Sequence, residues 1–212
     1  MSFGTYARKA RDPSLPYGRR INALAGCVQR YQPVGYQATF AYLEHVAGHF
    51  SRDEAALLRA MDMLSSSRDL WLLDLGDYAR RRKEAKRVGQ RSPGATEFDP
   101  TSPTCWYGDQ RNAALFALGY LLRRMAKDRQ VRADAADAEV LLLASGCVGS
   151  GGHLGYVERD RLDRIRLQFE RLRDVAGWPD FDGPSWRRAH DSLWILRLIE
   201  DASLSGDAGR TG

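Results

Sequence analysis

The sequence predicts an all-α protein, an irregular helical bundle of roughly seven or eight helices. Apolar residues recur every three or four positions in nearly every segment, which is the spacing that places them on one face of an α-helix. Strong alternation of apolar and polar residues, which would indicate strands, is not evident. One stretch departs from the helical pattern, because residues 89–109 are rich in Pro, Gly, Ser and Thr and predict a long loop.

Four helices are predicted before that loop. Two of them cover residues 18–31 and 35–50, each with an apolar stripe. A third is expected to begin at Ser51, which can form an S-x-x-E capping box with Glu54. A fourth is expected to begin at residues 66–67, and its second half is almost wholly polar, so that half is expected to leave the core.

The helical pattern resumes after the loop. Helices are predicted at 110–129, 133–145 and 156–176, and a last one is expected to begin at Pro184. A glycine-rich break at 145–155 separates the second of these from the third. In the third, acids three or four positions from the arginines neutralise them, so arginine alone is ordinary surface in this chain.

These elements predict a simple domain organisation. Residues 1–16 are interpreted as a basic N-terminal arm, and residues 17–202 as a helical domain. The long loop could divide that domain into two halves, 17–91 and 109–202. Residues 203–212 are interpreted as a disordered tail.

Composition indicates the compartment and excludes a membrane-spanning protein. No apolar run approaches 18 residues, and the N-terminus has no apolar stretch typical of a secretory signal. The three cysteines are widely spaced and odd in number, which suits structural thiols in a reducing cytoplasm. Nearly all the basic residues are Arg, a bias that suggests a GC-rich bacterial genome.

The distribution of charge is more informative than the net charge of +5. Residues 1–20 carry +4 and residues 80–91 carry +6, whereas the remainder of the chain sums to −5. A mildly acidic body therefore carries its positive charge in two short segments, which favours a specific anionic partner.

The segment at 80–91 is the principal candidate site. Like charges at i,i+4 repel there, and a phosphate backbone would relieve that repulsion. Four to six phosphate contacts on duplex DNA would make log K fall with log salt at a slope of about −3.5 to −5.5. The predicted nucleic-acid-binding residues are Arg80, Arg81, Arg82, Lys83, Lys86, Arg87 and Arg91.

Two further groups could support this contact. The N-terminal bases would add a second patch if the fold brought them near; they are Arg8, Lys9, Arg11, Arg19 and Arg20. Trp106 and Tyr107, on the loop that follows the basic segment, could stack on unpaired bases, although core or loop-anchoring roles are the alternative.

Catalytic and cofactor patterns are weak, and no catalytic residue or cofactor is predicted. His45 and His49 stand at i,i+4 and could bind Zn²⁺, but Glu44 precedes the first His, so the metalloprotease arrangement is absent. The glycine-rich stretch 145–155 lacks the dinucleotide-binding and P-loop spacings, so an interhelical linker is favoured over a phosphate-binding loop. The pair 18–31 and 36–50 could form a helix-turn-helix with Gly35 in the turn, but its second helix has no Arg or Lys to read bases.

The leading hypothesis is therefore a cytoplasmic, non-enzymatic helical protein that binds the phosphate backbone of DNA or RNA. The alternative is a helical adaptor, or a subunit of a larger complex, that docks an acidic protein through the same segment. An enzyme with a metal at His45 and His49 is the third hypothesis. Neither the oligomeric state nor the choice between DNA and RNA follows from the residues.

Overall fold

The computed structural model describes residues 1–90, 105–127, 135–175 and 184–204. These ranges contain eight α-helices and no strand, which confirms the predicted all-α class and number of helices. None of these eight helices is long and apolar enough to cross a membrane. The helices are α1 (Phe3–Arg11), α2 (Tyr17–Val28), α3 (Tyr36–Ala47), α4 (Glu54–Arg87), α5 (Gln110–Lys127), α6 (Ala135–Gly149), α7 (Tyr156–Val175) and α8 (Pro184–Ser203).

The chain divides into two compact units, Met1–Gly108 with α1 to α4 and Asp109–Gly212 with α5 to α8. Residues 1–16, interpreted above as a basic arm, form part of the first unit because α1 packs on both α2 and α4. The apolar side of α1 is buried there, including Phe3 and Ala10. This segment therefore contributes to a core rather than standing apart from it.

A close approach between α1 and α2 depends on one glycine. Gly26 lies in the last turn of α2, and a Cβ atom there would stand 2.6–2.8 Å from three carbon atoms of the Tyr6 ring. The Arg30 guanidinium lies 4.6 Å from the centroid of the same ring, as a cation–π contact. Glycine at this position thus lets α1 pack directly on the backbone of α2.

Helix α4 corrects two predictions about where helices begin. Separate helices were expected from Ser51 and from residues 66–67, but α4 is one continuous helix of 34 residues, about 51 Å long. Asp53 caps it instead of Ser51, because the Asp53 side chain accepts the backbone N–H two residues later. Ser67 is buried within the helix, and its hydroxyl oxygen lies 2.9 Å from that of Tyr31. Ser67 therefore provides a hydrogen-bond partner for the buried Tyr31 hydroxyl and does not begin a helix.

In the second unit, α8 packs against α5, α6 and α7. Leu162, Ile165 and Phe169 of α7 are buried, as their spacing predicts. On the outer side of α7, Arg164 pairs with Asp160 at 3.1 Å, so this arginine-rich helix neutralises part of its own charge.

The glycine-rich break is shorter than predicted and has a structural explanation. Helix α6 continues to Gly149, so only the last part of 145–155 connects it to α7. Gly152 has a φ of 91° and lies against the backbone carbonyl of Ala202, where a Cβ atom would not fit. Most of the predicted C-terminal tail, residues 205–212, lies outside the described residues.

Candidate nucleic-acid interface

The C-terminal end of α4 carries the predicted basic segment. Residues 80–87 are rich in Arg, Lys, Ala and Glu, which are good helix formers, so the helix continues through them. Cations near a helix C-terminus also complement the helix dipole. The helix ends at Arg87, and Gly89 follows with a φ of 78°, as expected of a glycine terminator. Arg91 lies outside the described residues.

One side of this basic end is buried and the rest is exposed. Tyr78 and Ala85, two helical turns apart, are both buried. Every charged side chain from Arg80 to Arg87 is exposed. The expectation that the polar half of α4 leaves the core is therefore correct for its charged side chains and wrong for Ala85.

Two of the bases are paired with acids on the same helix. Arg80 donates to Asp77 at 2.7 Å, and the Arg87 guanidinium lies 3.5 Å from the Glu84 carboxylate. Arg81 also has a partner. Such exposed pairs contribute about 0–1 kcal/mol to stability, but each one cancels a positive charge locally. Asp77 lies just outside the 80–91 segment, and its i,i+3 spacing from Arg80 is the sequence signal for this pair.

The remaining cations form a continuous face. Arg82, Lys83 and Lys86 are exposed, and no described residue pairs with them. At roughly 100° per residue, these three side chains fall within an arc of about 100°, beside the buried side and away from the two acids. We call Arg82, Lys83 and Lys86 the cationic face of α4.

The predicted N-terminal patch loses Arg20, because this residue is buried. Arg20 is only 3% exposed, its Nε atom donates to the carbonyl oxygen of Ala10 at 3.0 Å, and its Nη1 atom donates to Glu54 at 2.6 Å. It joins the end of α1 to the start of α4 and cannot also contact a nucleic acid. Arg19, its neighbour in sequence, is exposed.

Of the other N-terminal bases, one forms an ion pair between helices and the rest are exposed. Arg11 donates to the Asp62 carboxylate of α4 at 2.8 Å, so it helps to attach α1 to α4. Arg8 and Lys9 are exposed. The second patch is thus reduced to these two residues and Arg19.

Of the predicted stacking residues, Trp106 lies in the interior of the first unit and Tyr107 is half-buried. Trp106 is only 3% exposed and packs edge-on against Tyr42, with 5.0 Å between ring centroids. Tyr107 donates its hydroxyl to the Asp74 carboxylate at 2.9 Å. Burial, assisted by this hydrogen bond, raises the pKa of Tyr107 well above its ordinary value. The stacking interpretation is corrected, since Trp106 offers no free ring face to a base.

The two histidines do not form the expected helical pair. Helix α3 ends at Ala47, and Gly48 turns the chain with a φ of 95°, so His49 leaves the helix that carries His45. The His49 Nδ1 atom lies 3.1 Å from the Glu44 carboxylate. Among the residues that the structure describes, no group of three or more His, Cys, Asp or Glu side chains could hold a metal ion.

The cysteine side chains lie in the packed interior of the protein. Cys27, Cys105 and Cys147 are all buried, and none of them forms a disulfide. Burial raises the pKa of Cys27 to about 11 and also raises that of Cys147. These two thiols therefore stay protonated and poorly nucleophilic near neutral pH.

Comparisons with protein families, with curated proteins and with solved structures found no match for this chain. A function for this protein is therefore inferred from the exposed charges of α4.

Proposed function

We propose that this protein binds the phosphate backbone of nucleic acids through the basic end of α4, residues 80–87. The observation that carries the proposal is the concentration of exposed cations. Six Arg or Lys side chains occur within eight residues, against one acid in that span. Phosphate contacts of this kind supply most of the affinity of sequence-independent binding.

The composition of the surface favours a nucleic acid over an acidic protein. Protein interfaces are usually centred on buried apolar or aromatic anchors. Within residues 80–87 every exposed side chain is charged, and the nearest exposed large apolar residues on either side are Leu73 and Val88. A docked acidic protein would find ionic contacts here but no apolar anchor between them.

We also propose a cellular compartment and a non-catalytic role for the protein. Three buried thiols that form no disulfide fit a reducing compartment, and we propose that the protein is cytoplasmic. Its role is binding without a catalytic step.

Fluorescence anisotropy with labelled duplex and single-stranded oligonucleotides tests the proposal. The expected Kd at physiological salt is about 10⁻⁴ to 10⁻⁶ M, weakening as salt rises. The decisive variant replaces the six bases of residues 80–87 with Gln, which preserves helix propensity and side-chain length. We expect it to lose binding.

A charge-matched control separates local contact from net charge. Six exposed bases of the second unit are replaced with Gln: Arg123, Arg124, Lys127, Arg159, Arg164 and Arg171. This control should retain most of the binding. The proposal is refuted if no oligonucleotide binds in a salt-dependent way, or if the α4 variant binds as well as the wild type. Capture of one specific acidic protein by a chain that binds no oligonucleotide would support the adaptor alternative.

A further inference from the structure

Resting on the proposed function, we infer that the ligand is the backbone of a nucleic-acid duplex, contacted without reading of its base sequence. We further infer that the cationic face of α4 carries this contact. Arg82, Lys83 and Lys86 are thus the binding residues, and the other bases of residues 80–87 contribute little.

Three of the six bases are already engaged: Arg80 and Arg87 are in ion pairs, and Arg81 also has a partner. A phosphate that bound Arg80 would displace Asp77 or lie beside its carboxylate, and the same holds for Arg87 and Glu84. One anion would merely replace another, so few counterions would be released and little affinity gained. Among the described residues, no acid competes in this way at the cationic face.

The dimensions of the cationic face fit a duplex backbone. From Arg82 to Lys86 the helix axis advances about 6 Å. Phosphates of one strand recur about every 3.4 Å along a duplex axis, so the face spans two or three of them. Because all three side chains lie within one arc, α4 can lie against a rod-like polyanion while Tyr78 and Ala85 remain buried.

Apart from the cations themselves, the described helix around the face lacks the neutral and aromatic side chains that recognise bases. Single strands are bound largely by stacking on aromatic side chains, and Trp106 is buried in the first unit. Residues 76–87 contain no Asn, Gln, Ser or Thr, which are the neutral side chains that read base edges. Backbone contact alone therefore predicts similar affinity for duplexes of different sequence.

A salt titration of duplex binding counts the contacts. Three phosphate contacts predict a slope of log K against log salt of about −2.7, whereas six would give about −5.4. Replacing Arg82, Lys83 and Lys86 with Gln should bring the slope close to zero. Replacing three exposed bases of α5 should leave it unchanged; these are Arg123, Arg124 and Lys127.

Removing the two acids provides a gain-of-binding test. The double variant Asp77→Asn, Glu84→Gln keeps side-chain size and frees Arg80 and Arg87. Two additional contacts should steepen the slope by about 1.8 and tighten binding at low salt. If all six bases already contacted phosphates, the slope would stay the same.

The outcomes separate this inference from the proposed function. Absence of any salt-dependent binding refutes both. Binding with a slope near −5.4, or an unchanged slope in Asp77→Asn, Glu84→Gln, overturns the inference and leaves the proposed function standing. A preference above tenfold for single strands, or for one base sequence, does the same.

Discussion

Gly26 provides a sharp test of how α1 packs on α2. Replacing glycine with alanine inside a helix normally stabilises it by about 0.8–1 kcal/mol. At Gly26 the added Cβ atom would meet the Tyr6 ring at 2.6–2.8 Å, far inside ordinary van der Waals contact. One of the three clashing atoms is Cγ, which is bonded directly to the Cβ of Tyr6, so the ring cannot move away without a new rotamer or a shift of α1.

The expected magnitude follows from these opposing contributions. Overpacking of this kind costs about 1–3 kcal/mol, which cancels or exceeds the gain in helix propensity. We expect Gly26→Ala to lower the free energy of unfolding by about 0–2 kcal/mol. In a Tyr6→Ala background the clash is absent, so the same substitution should be stabilising by up to about 1 kcal/mol.

Urea denaturation followed by far-UV circular dichroism measures each corner of this double-mutant cycle. Gly76→Ala is the control, because Gly76 is exposed in α4 and has no heavy atom near its would-be Cβ. It should be stabilising in both backgrounds. The packing described here is wrong if Gly26→Ala stabilises the wild type as Gly76→Ala does, or if the cycle shows no coupling with Tyr6.

Three further predictions use the same denaturation assay. Arg20→Met should lower the free energy of unfolding by about 2–3 kcal/mol, because it removes charged hydrogen bonds to Ala10 and Glu54. Arg19→Met should lower it by less than about 0.5 kcal/mol. Equal losses in the two variants would contradict the structure. Trp106→Ala should cost about 3–5 kcal/mol as a buried aromatic, and a surface role is indicated if it costs under about 1 kcal/mol. Burial raises the pKa of Asp201 from 3.8 to about 6, so the neutral carboxyl stabilises the fold fully below pH 3.8 and this contribution is lost as pH rises through about 6. The free energy of unfolding of the wild type should therefore fall by about 2–3 kcal/mol across that pH range, and in Asp201→Asn this fall should be absent. The same pH profile in both proteins would contradict the burial of this carboxyl.

Much of the fold was predictable because helix formation depends on local spacing. The apolar positions of α7 recur at three and four residues, and Leu162, Ile165 and Phe169 are buried accordingly. Local polar signals were less reliable. Ser51 resembles a cap in sequence, but Asp53 provides the cap, and the serines at 66–67 lie within α4 because tertiary contacts such as that to Tyr31 satisfy a hydroxyl there.

The candidate site was predictable in position but not in composition. The excess of positive charge at residues 80–87 is visible without any structure, and so is the i,i+3 spacing of Asp77 from Arg80. Which bases remain unpaired depends on side-chain geometry around the helix. The structure leaves Arg82, Lys83 and Lys86 exposed and unpaired among the described residues.

By itself, the sequence determined the helical class, the approximate positions of most helices and the location of the positive charge. These properties depend on residues a few positions apart, which lie beside one another on any helix. Only the tertiary structure decided that Arg20 is buried while Arg19 is exposed, and that Trp106 packs on Tyr42. Those outcomes depend on contacts between residues distant in sequence, such as Arg20 with Glu54 or Trp106 with Tyr42, which local spacing does not encode.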